Sequence, residues 1–545
     1  MPTQSPDTDA IIKGYTFDTP SIELGVLMED GAPRPDAKVR ISLSMLNRHG
    51  LVAGATGTGK TKTLQLMAEQ IARAGVAVFA SDIKGDLSGI ALPGTPSEKL
   101  LARTSKIGQQ WQPQGCPVEF YTLGGVGSGV PLRASVSSFG PILLSKVLGL
   151  NETQESSLGL VFHYCDTHGL PLLDLEDLRS VLAYLTSAEG KAELKNLGGL
   201  SSATAGVILR SLITLQTQGA DEFFGEPEFD SRDLIRTTAD GRGVISLLEL
   251  PNVQDRPAIF STFLMWLLAD LFHDLPEVGD IEVPKLVFFF DEAHLLFNGA
   301  SKAFLDAIAQ TVRLIRSKGV GIFFVTQTPK DVPENVLAQL GSRVQHQLRA
   351  HTPNDAKALR ATVATYPTSG YELGEVLQSL GIGEAIITVL NPNGAPTPVA
   401  WTRMRAPEAS MEPMPAPMMA AGVAQSMLMA KYGQDLDRDS ASEMLARKLE
   451  AGAQAAAREA EAEAQAKEDA ARAKTQGQAP RRTSTSTTRR RPIRGGEGAL
   501  LADLLEQGDH RRWPDRERHV RHRAPRLSRA SGPGQLILIP QIFLS

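Results

Sequence analysis

The sequence predicts an α/β fold built on a mostly parallel sheet, and three observations predict it. An apolar run at 49–53 leads through a glycine-rich loop into a helical pattern and then a second, β-branched run at 76–80. Another apolar run, 285–290, ends in two acids, Asp291 and Glu292. A third, 321–326, follows a further helical pattern. Strand and helix in alternation imply a parallel sheet covered by helices, and uninterrupted apolar runs fit strands buried on both faces.

Residues 1–48 alternate apolar stretches with the turn residues Gly31, Pro33 and Pro35, and predict a short N-terminal β segment. Residues 49–137 form the first part of the core. Here Leu64, Met67, Ala68 and Ile71 share one helical face, and Gly75 ends that helix. Residues 138–240 carry helical periodicity with little strand signal, which predicts a helical insertion. The sheet resumes over 241–400 with runs at 243–250, 285–290, 321–326, 344–348 and 385–390. Between them lie a nearly all-apolar helix, 259–272, expected to be buried, and an amphipathic one with Phe304, Leu305, Ile308, Val312 and Ile315 inward.

Proline and methionine then cluster, so 401–439 is expected to be a linker. Residues 440–474 are rich in Ala, Glu, Lys and Arg without an apolar seam, which predicts a solvated helix. Residues 475–545 are expected to be disordered.

The 545 residues suggest two or three folded units, and 42% hydrophobic with 21% charged residues excludes wholesale disorder. The net charge of −5 divides into +8 on residues 475–545, which hold 14 Arg and no Lys, and −13 on the remainder. An acidic body excludes a general electrostatic footprint for nucleic acid, so such binding requires a local basic surface or the tail. Two separated cysteines, Cys116 and Cys165, argue against a disulfide framework or a zinc site. With no apolar leader and no run of 18 apolar residues, a soluble cytoplasmic protein without membrane contact is expected.

Gly54, Ala55, Thr56, Gly57, Thr58, Gly59, Lys60 and Thr61 fit G-x-x-x-x-G-K-[ST] between a strand and a helix. Such a loop turns its N–H groups toward phosphate oxygens, Lys60 neutralises β/γ charge, and Thr61 offers a hydroxyl to Mg²⁺. Asp291 and Glu292, at the carboxyl end of a strand, suit a water-mediated Mg²⁺ contact and a general base for the attacking water. Gln327, just after the 321–326 run, is placed to sense a γ-phosphate. Arg313 and Arg316 on the amphipathic helix, and Arg343 and Arg349 flanking a later strand, are candidates for an arginine finger. His294 is expected to be structural. A nucleoside triphosphate and Mg²⁺ are thus the expected ligands.

The stretches NRHGLVAGATGTGKT (47–61), SDIKGDLSG (81–89), FFFDEAHLLF (288–297) and VRLIRSKGVGIFFVTQTPKDVP (312–333) resemble the HerA-like ATPases of the HerA/FtsK superfamily, and within them the bacterial YjgR-type group. The resemblance covers residues 10–400 or so. It implies a RecA-like P-loop NTPase core, a homo-oligomeric, hexameric ring, Mg-ATP hydrolysis between subunits, and double-stranded DNA as the polymer moved. It also makes the triphosphate ATP, and Arg316 the first choice for the finger and Gln327 for the sensor. Lys60 stands too early for the β-barrel that precedes the core in HerA translocases, which speaks against a nuclease partner. From about Gly495 the Arg-rich end departs from the family and reads as a frame error. The alternative function is an ATP-dependent switch or scaffold that binds a protein partner without translocation. A DEAH-box helicase is disfavoured, because no second motor core follows.

Overall fold

The computed structural model describes residues 7–194, 198–251, 256–298, 300–436 and 438–476. Among them, one sheet has twelve strands: β1 (Ser21–Glu29), β2 (Ala32–Ser42), β3 (Gly50–Ala53), β4 (Ala77–Asp82), β5 (Val118–Leu123), β6 (Val130–Leu132), β7 (Ile245–Glu249), β8 (Leu286–Phe290), β9 (Val320–Thr326), β10 (Ser342–Gln345), β11 (Glu384–Thr388) and β12 (Ala400–Met404). Their spatial order is β2-β1-β12-β11-β10-β3-β9-β8-β4-β7-β5-β6. From β10 to β6 every pairing is parallel, whereas β11, β12, β1 and β2 add on antiparallel.

The α-helices are α1 (Thr8–Gly14), α2 (Lys60–Arg73), α3 (Glu98–Lys106), α4 (Val136–Val147), α5 (Glu152–His168), α6 (Leu175–Leu185), α7 (Ala188–Leu194), α8 (Ser202–Thr217) and α9 (Pro257–Asp274). They continue with α10 (His294–Phe297), α11 (Lys302–Ile315), α12 (Glu334–Leu337), α13 (Pro353–Val363), α14 (Leu373–Ser379), α15 (Ala416–Ala424), α16 (Met427–Tyr432) and α17 (Ala441–Gln476). No helix among the described residues is long and apolar enough to cross a membrane.

Alternate residues of the central strands feed two cores. Leu286, Phe288 and Phe290 face one core with residues of α5, α6, α8, α9 and α11; Val287 and Phe289 face the other, with Leu64, Met67 and Ile71 of α2. All three β8 phenylalanines are fully buried, each contributing about 1.5–3 kcal/mol relative to exposure. The predicted insertion is therefore a layer of the main body: Trp266 of α9 meets Phe223 edge-on at 6.0 Å between ring centroids.

The structure corrects two expectations. The N-terminal β segment is not short: β1 and β2 have 9 and 11 residues and extend the central sheet through β12. The stretch expected as a linker is not one, since it contains part of β12, then a strap over α2, and helices α15 and α16. The Glu69 carboxylate, buried in α2, accepts the N–H groups of Glu408 and Ala409 at 3.0 and 3.2 Å. Trp111 Nε1 donates to the Pro407 carbonyl, and Gln109 both donates to and accepts from Ala406. Tyr432 of α16 is fully buried, with its hydroxyl on Asp233. The strap lacks strand periodicity because its backbone is satisfied by side chains of the body together with scattered backbone bonds, such as Ser410 N–H to the Leu92 carbonyl and Gly94 N–H to the Glu408 carbonyl, and not by a continuous ladder.

The chain divides into two compact units, residues 1–451 and 452–545. In the second, the described part of α17 carries exposed side chains with i,i+4 pairs Glu463/Lys467 and Glu468/Arg472. The tail expected to be disordered lies outside the described residues from 477 onward.

Replacing Glu69 with Ala removes the acceptor for the strap. We expect a loss of about 1.5–3 kcal/mol in urea unfolding and faster protease cleavage within 405–414, with cut sites read by mass spectrometry.

Candidate active site

The parallel register brings distant segments to one edge. Ala53 pairs with Thr326, Phe324 with Phe290, Phe290 with Ser81, and Asp82 with Glu249. The segments after β3, β9, β8 and β4 therefore leave the sheet at the same level. With β9 lying between them, β3 and β8 stand about 10 Å apart, a gap a triphosphate chain can occupy.

After Ala53 the chain curls in a way that needs glycine. Gly54, Gly57 and Gly59 have φ of 158°, 81° and 118°, and a Cβ on Gly54 would lie 2.5 Å from the Cβ of His346. The Thr58 hydroxyl and Lys60 Nζ both donate to the Ala55 carbonyl, at 2.7 and 3.3 Å. No side chain caps α2, which begins at Lys60, so its first N–H groups are free to take an anion.

His346 braces this loop from β10's end. Its N–H donates to the Ala53 carbonyl at 2.7 Å. Its ring lies 2.8 Å from the Glu384 carbonyl through Nδ1 and 2.9 Å from the Thr63 hydroxyl through Nε2. Since a carbonyl only accepts, Nδ1 carries the proton and the Thr63 hydroxyl donates to Nε2. Burial lowers this histidine to about 4, so it is neutral.

Lys60 is buried beside Asp291 and Glu292; burial depresses its pKa, and the two acids counteract that. Asp291, buried at the tip of β8, receives the N–H of Glu292 on Oδ1 at 2.9 Å and leaves Oδ2 without a hydrogen-bond partner. Burial, and then the Glu292 charge, push it up to about 7. Glu292 has a φ of 47°, unusual for a residue other than glycine. Burial pushes its carboxyl upward, but a hydrogen bond and ion pair from Lys84 to Oε1 hold it below its ordinary value. His294, expected to be structural, places Nδ1 3.3 Å from Glu292 Oε2.

Lys84 and His346 escaped the sequence reading. The segment after β4 held Lys84 in plain view within SDIKGDLSG, but strand order alone puts it against Glu292, 208 residues away. Gln327 leaves β9 between the glycine loop and the acids, exposed, and borders a cavity of about 250 Å³ with Ala55, Thr56 and Arg349.

The arginines are placed elsewhere. Arg313 and Arg316 are exposed where α11 returns to the start of β9, about 20 Å of strand away from the phosphate edge. Arg343, in the first half of β10, is tied to the Thr365 hydroxyl and stands over the Tyr366 ring at 5.9 Å. Of these candidate arginines, Arg349 is the one that touches the loop, donating to the Thr56 carbonyl at 3.4 Å.

Among the described residues, no group of three or more His, Cys, Asp or Glu side chains is set to hold a metal alone. The unpartnered Asp291 Oδ2 beside the Thr61 segment nevertheless fits Mg²⁺, which binds through one or two protein ligands while keeping water and phosphate oxygens.

The family model for the helicase HerA-like C-terminal region matches residues 28–500. The DNA double-strand break repair helicase HerA of Sulfurisphaera tokodaii is 22% identical over 381 residues, 67% of this chain and 68% of that protein. The protein of the same name from Saccharolobus solfataricus is 23% identical, covering 65% of this chain and 64% of its own length. The chain thus spans about two thirds of the length of these relatives. Among solved structures, the bacterial conjugative coupling protein TrwBdeltaN70 superposes with a TM-score of 0.49 at 13% identity, covering 75% of this chain and 94% of that one. The chain belongs to the HerA-like helicase C-terminal family and is a P-loop ATPase.

The buried imidazole of His346 makes stability depend on pH. Its folded value of about 4 lies below the ordinary 6.5, so the unfolded chain takes up the proton first. Its contribution is complete above pH 6.5 and is lost as pH falls toward 4. His346→Asn removes that titration, so its melting temperature, read by circular dichroism, should fall less between pH 6.5 and 4.5 than the wild type's, despite a lower value at pH 7.5.

Proposed function

We propose that this HerA-family ATPase is a Mg²⁺-dependent ring motor that couples ATP hydrolysis to movement along double-stranded DNA. The observation that carries the hydrolytic part is the meeting of Lys60 with Asp291 and Glu292 beside the curled glycine loop. The DNA substrate rests on the family and on its relatives, which are DNA double-strand break repair helicases.

In this reading, the N–H groups of residues 54–61 and the start of α2 bind the phosphates, and Lys60 neutralises charge on the β and γ groups. Thr61 and Asp291 would hold Mg²⁺, which would supply charge neutralisation on the phosphate oxygens. Glu292 accepts a proton from the water that attacks the γ-phosphorus; the bond to the bridging oxygen breaks, giving ADP and phosphate. Gln327 holds that water, since it leaves the sheet between the loop and the acids.

An oligomer follows from where the arginines lie. Arg313 and Arg316 are at the far edge from their own chain's phosphate site, so either can serve as a finger only for a neighbouring copy. Arg316 is the first choice. Arg343 is the weaker candidate, because Thr365 and Tyr366 already engage it.

Lys60→Ala should abolish binding of a fluorescent ATP analogue. Glu292→Gln should retain binding while turnover falls about 10²–10⁴-fold; normal hydrolysis by this variant would remove Glu292 from the mechanism.

Duplex DNA should raise wild-type turnover, and native mass measurement should give six chains. Turnover indifferent to DNA, with ATP-dependent capture of a protein, would favour the switch or scaffold reading instead.

A further inference from the structure

Lys84 lies outside both nucleotide motifs, yet it is the cation that engages the proposed base. Its ammonium pairs with Glu292 Oε1, while Glu292's side chain is only 6% exposed and Lys84's is 45% exposed. One partner is thus locked in the site, and the other remains open to a ligand.

The backbone that carries Lys84 is unusually well fixed for a loop. The Asp82 carboxylate, buried at the end of β4, accepts four successive N–H groups: Lys84 at 3.2 Å, Gly85 at 2.7 Å, Asp86 at 3.2 Å and Leu87 at 2.7 Å. Gly85 turns the chain with a φ of 74°. Because β4 is the immediate parallel neighbour of β8, this anchored turn meets the acids at the tip of β8. The long side chain can therefore change partner while its Cα stays in place.

Glu292 is held in a poised state. Its backbone has the left-handed φ of 47°, and its Oε2 makes no hydrogen bond although buried. Residues held in sparsely populated backbone regions cost on the order of 1–3 kcal/mol and persist where surrounding contacts impose them. The contacts here are Lys84 on Oε1, His294 Nδ1 at 3.3 Å from Oε2, and the Asp291 side chain on the N–H.

Lys60, Lys84, Asp291 and Glu292 together are formally neutral, and a triphosphate entering beside them adds several negative charges. An ammonium is a compact point charge with three rotatable donors, able to trade a carboxylate for a phosphate oxygen. We propose that Lys84 is a γ-phosphate-responsive latch: it restrains Glu292 when no triphosphate is present and moves to the γ-phosphate when ATP binds, freeing the carboxylate to take the proton of the attacking water. The inference rests on the hydrolytic reading above and adds a residue that distinguishes ATP from ADP.

The test uses the full-length protein with fluorescent ATP and ADP analogues, alongside steady-state turnover. Lys84→Met should weaken ATP about tenfold while leaving ADP unchanged, and should lower kcat at least thirtyfold. Lys84→Arg, which keeps the charge, should restore most of the preference for ATP. The loss of ATP preference should persist in Lys84→Met/Glu292→Gln, because the lost contact is to phosphate rather than to the base. Equal weakening of ATP and ADP would identify a merely structural clamp and overturn the proposal, as would an unchanged kcat. Wild-type protein that binds ATP without hydrolysing it would instead defeat the hydrolytic reading, and the latch with it.

Discussion

Parallel strands that end in phase create the site. Both faces of β3, β4, β8 and β9 are apolar and buried, so packing alone tolerates more than one alignment of these strands. The polar bonds just beyond their ends are specific where the faces are permissive. Gly54 N–H reaches the Thr326 carbonyl, Ala293 N–H the Val325 carbonyl, His346 N–H the Ala53 carbonyl, and Asp291 N–H the Ser81 hydroxyl. A slip of one residue would break these bonds and carry each side chain to the opposite face. The glycine loop and the acids thus converge through the same bonds that fix the sheet.

That convergence concentrates charge in a place where charge is expensive. Lys60, Asp291 and Glu292 are all buried, and ion pairs in low dielectric are weak contributors to stability because desolvation offsets their attraction. The apolar layers above and below the sheet carry this cost. Asp291, raised to about 7, and Lys60, depressed by burial, show each group strained toward its neutral form. A bound divalent ion and phosphate would favour the charged forms of both, so the site is electrostatically suited to such a ligand.

The sequence made legible whatever lies in one continuous segment. The glycine loop, the acids closing an apolar strand, and the helical layer all declare themselves by local spacing. The β5 strand VEFYTL and the strap at 405–414 did not, because neither follows a period that separates it from loop. Lys84 and His346 were hidden for another reason: each is an ordinary residue until strand order sets it against a segment hundreds of residues away. Asp82 is similar. Its significance lies in four N–H groups that happen to point at one carboxylate, a matter of turn geometry that composition does not encode.

The placement of the arginines constrains any assembly that uses them. The glycine loop and the acids stand at the carboxyl edge of the parallel strands, while Arg313 and Arg316 stand where α11 delivers the chain to the opposite edge. A two-fold pair, in which residue i meets residue j and j meets i, would need both edges inside a single interface and would close at two copies. A heterologous contact joins unlike surfaces and can bring one copy's α11 end to the next copy's nucleotide. Repeated with a rotation that closes, such a contact makes a ring. An arginine donated across the interface would then tie hydrolysis to the subunit arrangement, since the site is complete only while the neighbour holds its position.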